Sequence, residues 1–77
     1  MVMPLALVQE GEKVEIVDFI KAGRVLFCRL RDIGISLGKV VEVLSNQGRG
    51  PILLKIDESR VAIGRGMAMK ILIRRIQ

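Results

Sequence analysis

Apolar and polar residues alternate from Lys13 to Phe19, with Val14 and Ile16 on one face and Lys13 and Glu15 on the other. That period of two predicts a strand with one buried side. The phase slips at Val17-Asp18-Phe19, which places a bulge or the strand's end there. The stretch before it, Met1 to Leu7 with Pro4, reads as a lead-in, a strap or single turn, followed by a turn at Glu10-Gly11-Glu12.

The next segment, AGRVLFCRLRDIG, changes period. Ala22, Leu26, Leu30 and Ile33 recur at i, i+4, i+8 and i+11, one apolar stripe of a helix. Arg24 and Arg31, seven apart, share another face. Gly34 suits the position just past a helix end, where a left-handed backbone costs glycine little. Gly38 then opens a second strand, KVVEVLS, and NQGRGP is a loop.

ILLKID follows as a strand with Ile52, Leu54 and Ile56 inward. RVAIG answers it with Val61 and Ile63 inward. Pairing Ile56 with Val61 sets Leu54 opposite Ile63 and leaves Asp57 to Arg60 as the hairpin tip. RGMAM reads as one 3₁₀ turn, and KILIRRI as the last strand, with Ile71 and Ile73 inward.

Five short strands separated by turn signals predict a mainly β domain over residues 1–77, a small closed or half-open barrel. The last strand pairs with the first. The inserted helix then acts as a lid, with Leu26, Leu30 and Ile33 facing the interior. Ile35-Ser36-Leu37 lies partly over the rim, looking outward.

Composition sharpens this picture. The chain has 77 residues, and one this short buries only about 60% of its unfolded surface. Its apolar fraction is 51%, almost wholly aliphatic, with Phe19 and Phe27 the two aromatics, both expected in the core. Thirteen Lys and Arg against eight Asp and Glu give a net charge of +5, which favours anionic partners without naming one. Cys28 is a single cysteine, so no intrachain disulfide forms. Met1 to Val8 lacks a basic flank and is too short for a signal peptide, and no apolar run is long enough to span a bilayer. The expected location is the cytoplasm.

Few chemistries survive inspection. There is no histidine, Cys28 sits alone in the helix, and Asp57-Glu58 is ordinary turn chemistry, so no metal site, cofactor or catalytic residue is expected. Neither GRG, at Gly48 to Gly50 or Gly64 to Gly66, opens a helix in a βαβ unit, so neither is a phosphate loop. A basic small barrel that binds nucleic acid is the alternative expectation. It is weakened by the absence of Trp and Tyr as stacking platforms.

The order of elements resembles a known family. Arg29, Leu30, Gly34 and Gly38 match an Arg-Leu-x-x-x-Gly-x-x-x-Gly segment. Pro51 follows the glycine-rich loop, and Ala68 sits in a short turn before the final strand. From about Pro4 to Ile73 the chain is similar to the FeoA family of ferrous-iron transport accessory proteins. That resemblance implies an SH3-like barrel with one inserted helix. It also implies a non-enzymatic cytoplasmic role beside the membrane transporter FeoB, with recruitment to the inner face of the membrane. The same fold occurs at the C-terminus of iron- and manganese-dependent repressors.

The residues expected at a protein contact are Lys21, Arg24 and Arg31 on or beside the helix, Ile35 and Leu37 after it, and Arg49 in the glycine-rich loop. Leu53 and Leu72, pointing outward, complete the set. Apolar area rimmed by cations is how a soluble protein presents a docking surface. Self-association through Leu53, Leu72 and a mobile Met1 to Leu7 arm is the competing use of the same groups.

Overall fold

The structure is a computed structural model and describes residues 1–76. The chain runs through Val2–Pro4 (β1), a 3₁₀ turn at Leu5–Leu7, Lys13–Phe19 (β2), Arg24–Asp32 (α1) and Val40–Ser45 (β3). It continues through Ile52–Ile56 (β4), Ser59–Ile63 (β5), one helical turn at Arg65–Ala68 (α2) and Ile71–Arg75 (β6). The strands form one antiparallel sheet in the order β1-β6-β2-β3-β4-β5.

Alternation dictates which side of this sheet is apolar. Val14 and Ile16, Val41 and Val43, Ile52, Leu54 and Ile56, Ile63, and Ile71 and Ile73 are all buried in one cluster. Leu30 of α1, Ala68 of α2 and the 3₁₀ residues Leu5 and Ala6 join it from outside the strands. The phase slip in β2 is a bulge, as expected: its register against β6 jumps between Ile16 and Asp18, leaving Val17 as the extra residue.

Five of the expectations change. The sheet has six strands and is not a closed barrel, because Val2–Pro4 is itself a strand and occupies the edge of β6 that a closing strand would need. The lead-in is therefore no mobile arm: Leu5, Ala6 and Val8 are buried. The β4–β5 hairpin is tighter than expected, pairing Ile56 with Ser59 and Leu54 with Val61 around a two-residue loop, Asp57-Glu58. Asp57 takes φ 55°, the left-handed value such a loop demands. RGMAM forms an α-helical turn instead of a 3₁₀ one. Ile33, placed on the helix's inner stripe, is 41% exposed; it is the C-cap, where the chain leaves the helical path.

Candidate partner-binding surface

Helix α1 owes its position to its two ends. Gly23 is the N-cap and has no side chain to bond the free amides of the first turn. The C-terminal end is strongly specified. Gly34, at φ 98°, donates its N–H to the Arg31 carbonyl at 3.0 Å, and Ile35 donates to the Leu30 carbonyl at 2.8 Å. Those two bonds are the Schellman pair, which returns the residue after the glycine to pack on the last inward helix residue. Leu30 and Ile35 are accordingly both buried. A Cβ on Gly34 would meet Ile56 Cγ2 at 3.0 Å, so the helix end is pressed against β4 as well.

Ile35 must therefore be removed from the expected contact residues: with 0% exposure its side chain cannot reach a partner. Leu37, two residues on, is 56% exposed, and Lys21, Arg24 and Arg31 are all exposed. Arg29 is also exposed; the helical wheel sets it beside Ala22 at the edge of the apolar stripe, away from Arg24 and Arg31, so periodicity alone did not mark it as solvent-facing. Lys21 holds φ 51°, an uncommon value for a residue with a Cβ, where the chain turns from β2 toward α1. Phe27, expected in the core, lies at its margin: it is partly exposed and its ring meets Phe19 edge-on, with centroids 5.3 Å apart. Val25 adds further exposed apolar surface to the helix.

The charges around α1 have no ion-pair partner among the described residues. The ion pairs among the described residues join Lys39 to Asp57 at 2.7 Å, Arg74 to Glu15, and Arg75 to Glu12 at 2.9 Å. None of Lys21, Arg24, Arg29 or Arg31 takes part. Cations and exposed apolar side chains are thus interleaved over one short helix and the turn that follows it.

The other expected contact residues lie on different elements. Arg49 is exposed in the glycine-rich loop between β3 and β4. Leu53 and Leu72 are half-buried on the outer side of β4 and β6. Those strands are separated by β2 and β3, a spread of about 14 Å in strand spacings along the sheet. The two leucines do not make one patch.

A polar hub went unforeseen. Asn46 Nδ2 donates to the carbonyls of Ala6 at 3.0 Å and Val8 at 2.7 Å, while its Oδ1 accepts from Arg65 Nη2 at 2.7 Å and from the Gly48 N–H at 3.2 Å. Arg65 Nη1 also reaches the Ala6 carbonyl, at 3.1 Å. This hub ties the 3₁₀ turn, the glycine-rich loop and α2 together. Nothing in local periodicity signals it, because its members are 59 residues apart at the extreme.

No three His, Cys, Asp or Glu side chains come together as a metal cluster among the described residues. Cys28 is a half-buried free thiol. No helix is long and apolar enough to cross a membrane. The surface depression between Lys13, Val40, Glu42, Lys55 and Asp57 is open and mixed in charge.

Comparison with known proteins places this geometry. A sequence profile described as the FeoA domain matches residues 3–75. The chain is 46% identical over 70 residues to a Methanocaldococcus jannaschii protein provisionally named Fe(2+) transport protein A, covering 91% of this chain and 83% of the relative. It is similar to the crystal structure of an iron uptake regulatory protein (FeoA), with a TM-score of 0.91 and 30% identity over 99% of this chain and all of that one. It also resembles a manganese-dependent transcriptional repressor, with a TM-score of 0.86 and 24% identity over 97% of this chain and 42% of the repressor. That second structural likeness concerns the fold alone. The fold is the small SH3-like one expected, with its sheet left open.

Proposed function

The chain belongs to the FeoA domain family, and on that premise we propose that it is an accessory of ferrous-iron uptake, without a catalytic step of its own, that docks on the cytoplasmic part of an FeoB-type membrane transporter. Iron is the transporter's cargo in this reading, and this chain acts on the transporter through contact. Docking favours one conformation of the transporter to the extent that the helix face binds that conformation more tightly than the others.

The observation that supports the docking surface is the set of cations on and beside α1 without an ion-pair partner among the described residues, namely Lys21, Arg24, Arg29 and Arg31, with exposed Val25, Phe27 and Leu37 on the same helix and the turn after it. Cations that hold no carboxylate among the described residues have no such internal contact to give up when an acidic partner arrives. They steer such a partner in and fix its orientation. Leu37 and Val25 supply apolar area that solvent otherwise covers.

The test is direct. The purified cytoplasmic part of the transporter is titrated with the wild-type chain and with the double variant Arg24→Glu, Arg31→Glu. Loss of two favourable contacts and gain of two repulsive ones is expected to weaken binding by about 100-fold or more. An unchanged affinity for a variant that melts like the wild type removes this face from the contact. Binding to short RNA or DNA, with the steep salt dependence that phosphate contacts impose, would instead support the nucleic-acid reading.

A further inference from the structure

The open sheet has two outer strands, and they are not equally defended. β1 is three residues long and ends in Pro4, which has no N–H to offer. β5, Ser59–Ile63, is five residues long, with neither proline nor bulge, and among the described residues pairs with β4 alone.

The register decides which of its backbone groups are free. Ile56 and Ser59 flank a two-residue loop, so they form a pair that exchanges both hydrogen bonds. Such pairs alternate along an antiparallel ladder. Ser59, Val61 and Ile63 therefore bond to β4, and the N–H and C=O of Arg60 and Ala62 point away from it. Both residues are exposed. Side chains complete the edge. Val61 faces inward, half-buried against the core, while Arg60 faces outward beside Lys55, its opposite number on β4. Neither cation has an ion-pair partner among the described residues.

We propose that β5 is a receptor edge for an extended segment of a partner protein, which adds to the sheet as a further strand. The segment carries a carboxylate opposite Arg60 and, one residue along, an apolar side chain that covers Val61. Backbone bonding to Arg60 and Ala62 provides the attachment, and the alternating side chains provide the selection. A second copy of this chain fits less well. Two-fold pairing centred on Val61 sets Arg60 against Ala62 and brings no carboxylate to it. The register that would bring Glu58 to Arg60 overlaps only the hairpin tip. The inference stands on β5 and does not depend on the α1 face.

The experiment titrates the ¹⁵N-labelled full chain with a capped hexapeptide of alternating Glu and Val, and with its counterpart carrying Lys for Glu. The amides of Arg60 and Ala62 are expected to shift and to exchange slowly with solvent once the acidic peptide is bound. Ala62→Pro removes an outward N–H that β4 does not use, and is expected to weaken binding by about tenfold. Arg60→Glu is expected to reverse the preference between the two peptides. If Ala62→Pro fails to fold, that reversal decides alone. The proposal is overturned by no binding at about 1 mM peptide, a weakly bound regime by any standard. It is equally overturned by shifts confined to α1, by a folded Ala62→Pro that binds as the wild type does, or by slow exchange at these amides that depends on protein concentration without peptide. That last outcome would assign the edge to a second copy.

Discussion

Ile33 and Ile35 have the same side chain and flank the same glycine, yet the first is 41% exposed and the second 0%. The difference is made by the two backbone bonds that close the helix at Gly34 and fold Ile35 back onto Leu30. Ile35→Ala is therefore expected to cost about 2–5 kcal/mol, the range for emptying a buried aliphatic site. Ile33→Ala is expected to fall within about 0.5 kcal/mol, as exposed substitutions do. Urea unfolding of the two variants checks both, and equal costs would mean that the helix end is not closed this way. Gly34 as the terminating residue was legible in the sequence. The burial of the residue after it was not, because Ile35 lies beyond the helical stripe, which ends at Ile33, and only the backbone turn at Gly34 folds it inward. Phe27 shows the related limit at the helix flank: periodicity gives the direction of a side chain but not where the neighbouring strands end.

At the scale of elements, the first strand and its 3₁₀ turn tie the start of the described sheet to the core. Leu5, Ala6 and Val8 are buried, and the carbonyls of Ala6 and Val8 are both bonded by Asn46. Removing residues 1–8 takes two large side chains from the core, each worth about 1.5–3 kcal/mol, and uncovers the edge of β6. A domain typically has about 5–15 kcal/mol in all. The truncated chain is expected to lose its cooperative thermal transition, followed by circular dichroism in the far ultraviolet. A sharp transition near the wild-type temperature would show that the segment is dispensable. This strand escaped notice because three residues with a proline carry too little alternation to register. The hairpin illustrates a gentler error. Its register lies two residues from the one expected, and a displacement of two leaves every side chain on its own face. Inward Ile52, Leu54 and Ile63 were thus correctly read even though their cross-strand partners were not. What the alternation could not convey is that Asp57 accepts a left-handed backbone and receives Lys39 on its carboxylate.

For the molecule as a whole, charge is in surplus. Among the described residues three ion pairs engage Lys39, Arg74 and Arg75, all of them partly exposed, against a net charge of +5. Exposed pairs are worth about 0–1 kcal/mol each, whereas repulsion among the remaining cations is relieved as salt shortens the screening length. The melting temperature is accordingly expected to rise between low salt and about 0.5 M NaCl, where screening falls below about 5 Å. A falling temperature would mean that the three pairs outweigh the repulsion. The fold class was readable at this scale because the strands alternate over most of their length and the glycines punctuate them. Closure was not, since it depends on which strand takes the last free edge, and that is decided by residues at opposite ends of the chain.

That arrangement also governs how the chain can be made. β6, the last of these six strands to leave the ribosome, is seated between β1 and β2, the first two. Until it emerges, β1 has no neighbour at all, and Val14 and Ile16 lack the strand that seals one side of them. Pairing Val2 with Arg74 closes a loop that spans nearly all the described residues, an entropic cost that must be met before the contact returns anything. The nascent polypeptide is therefore expected to stay sticky and protease-sensitive until β6 is free to pair with both β1 and β2.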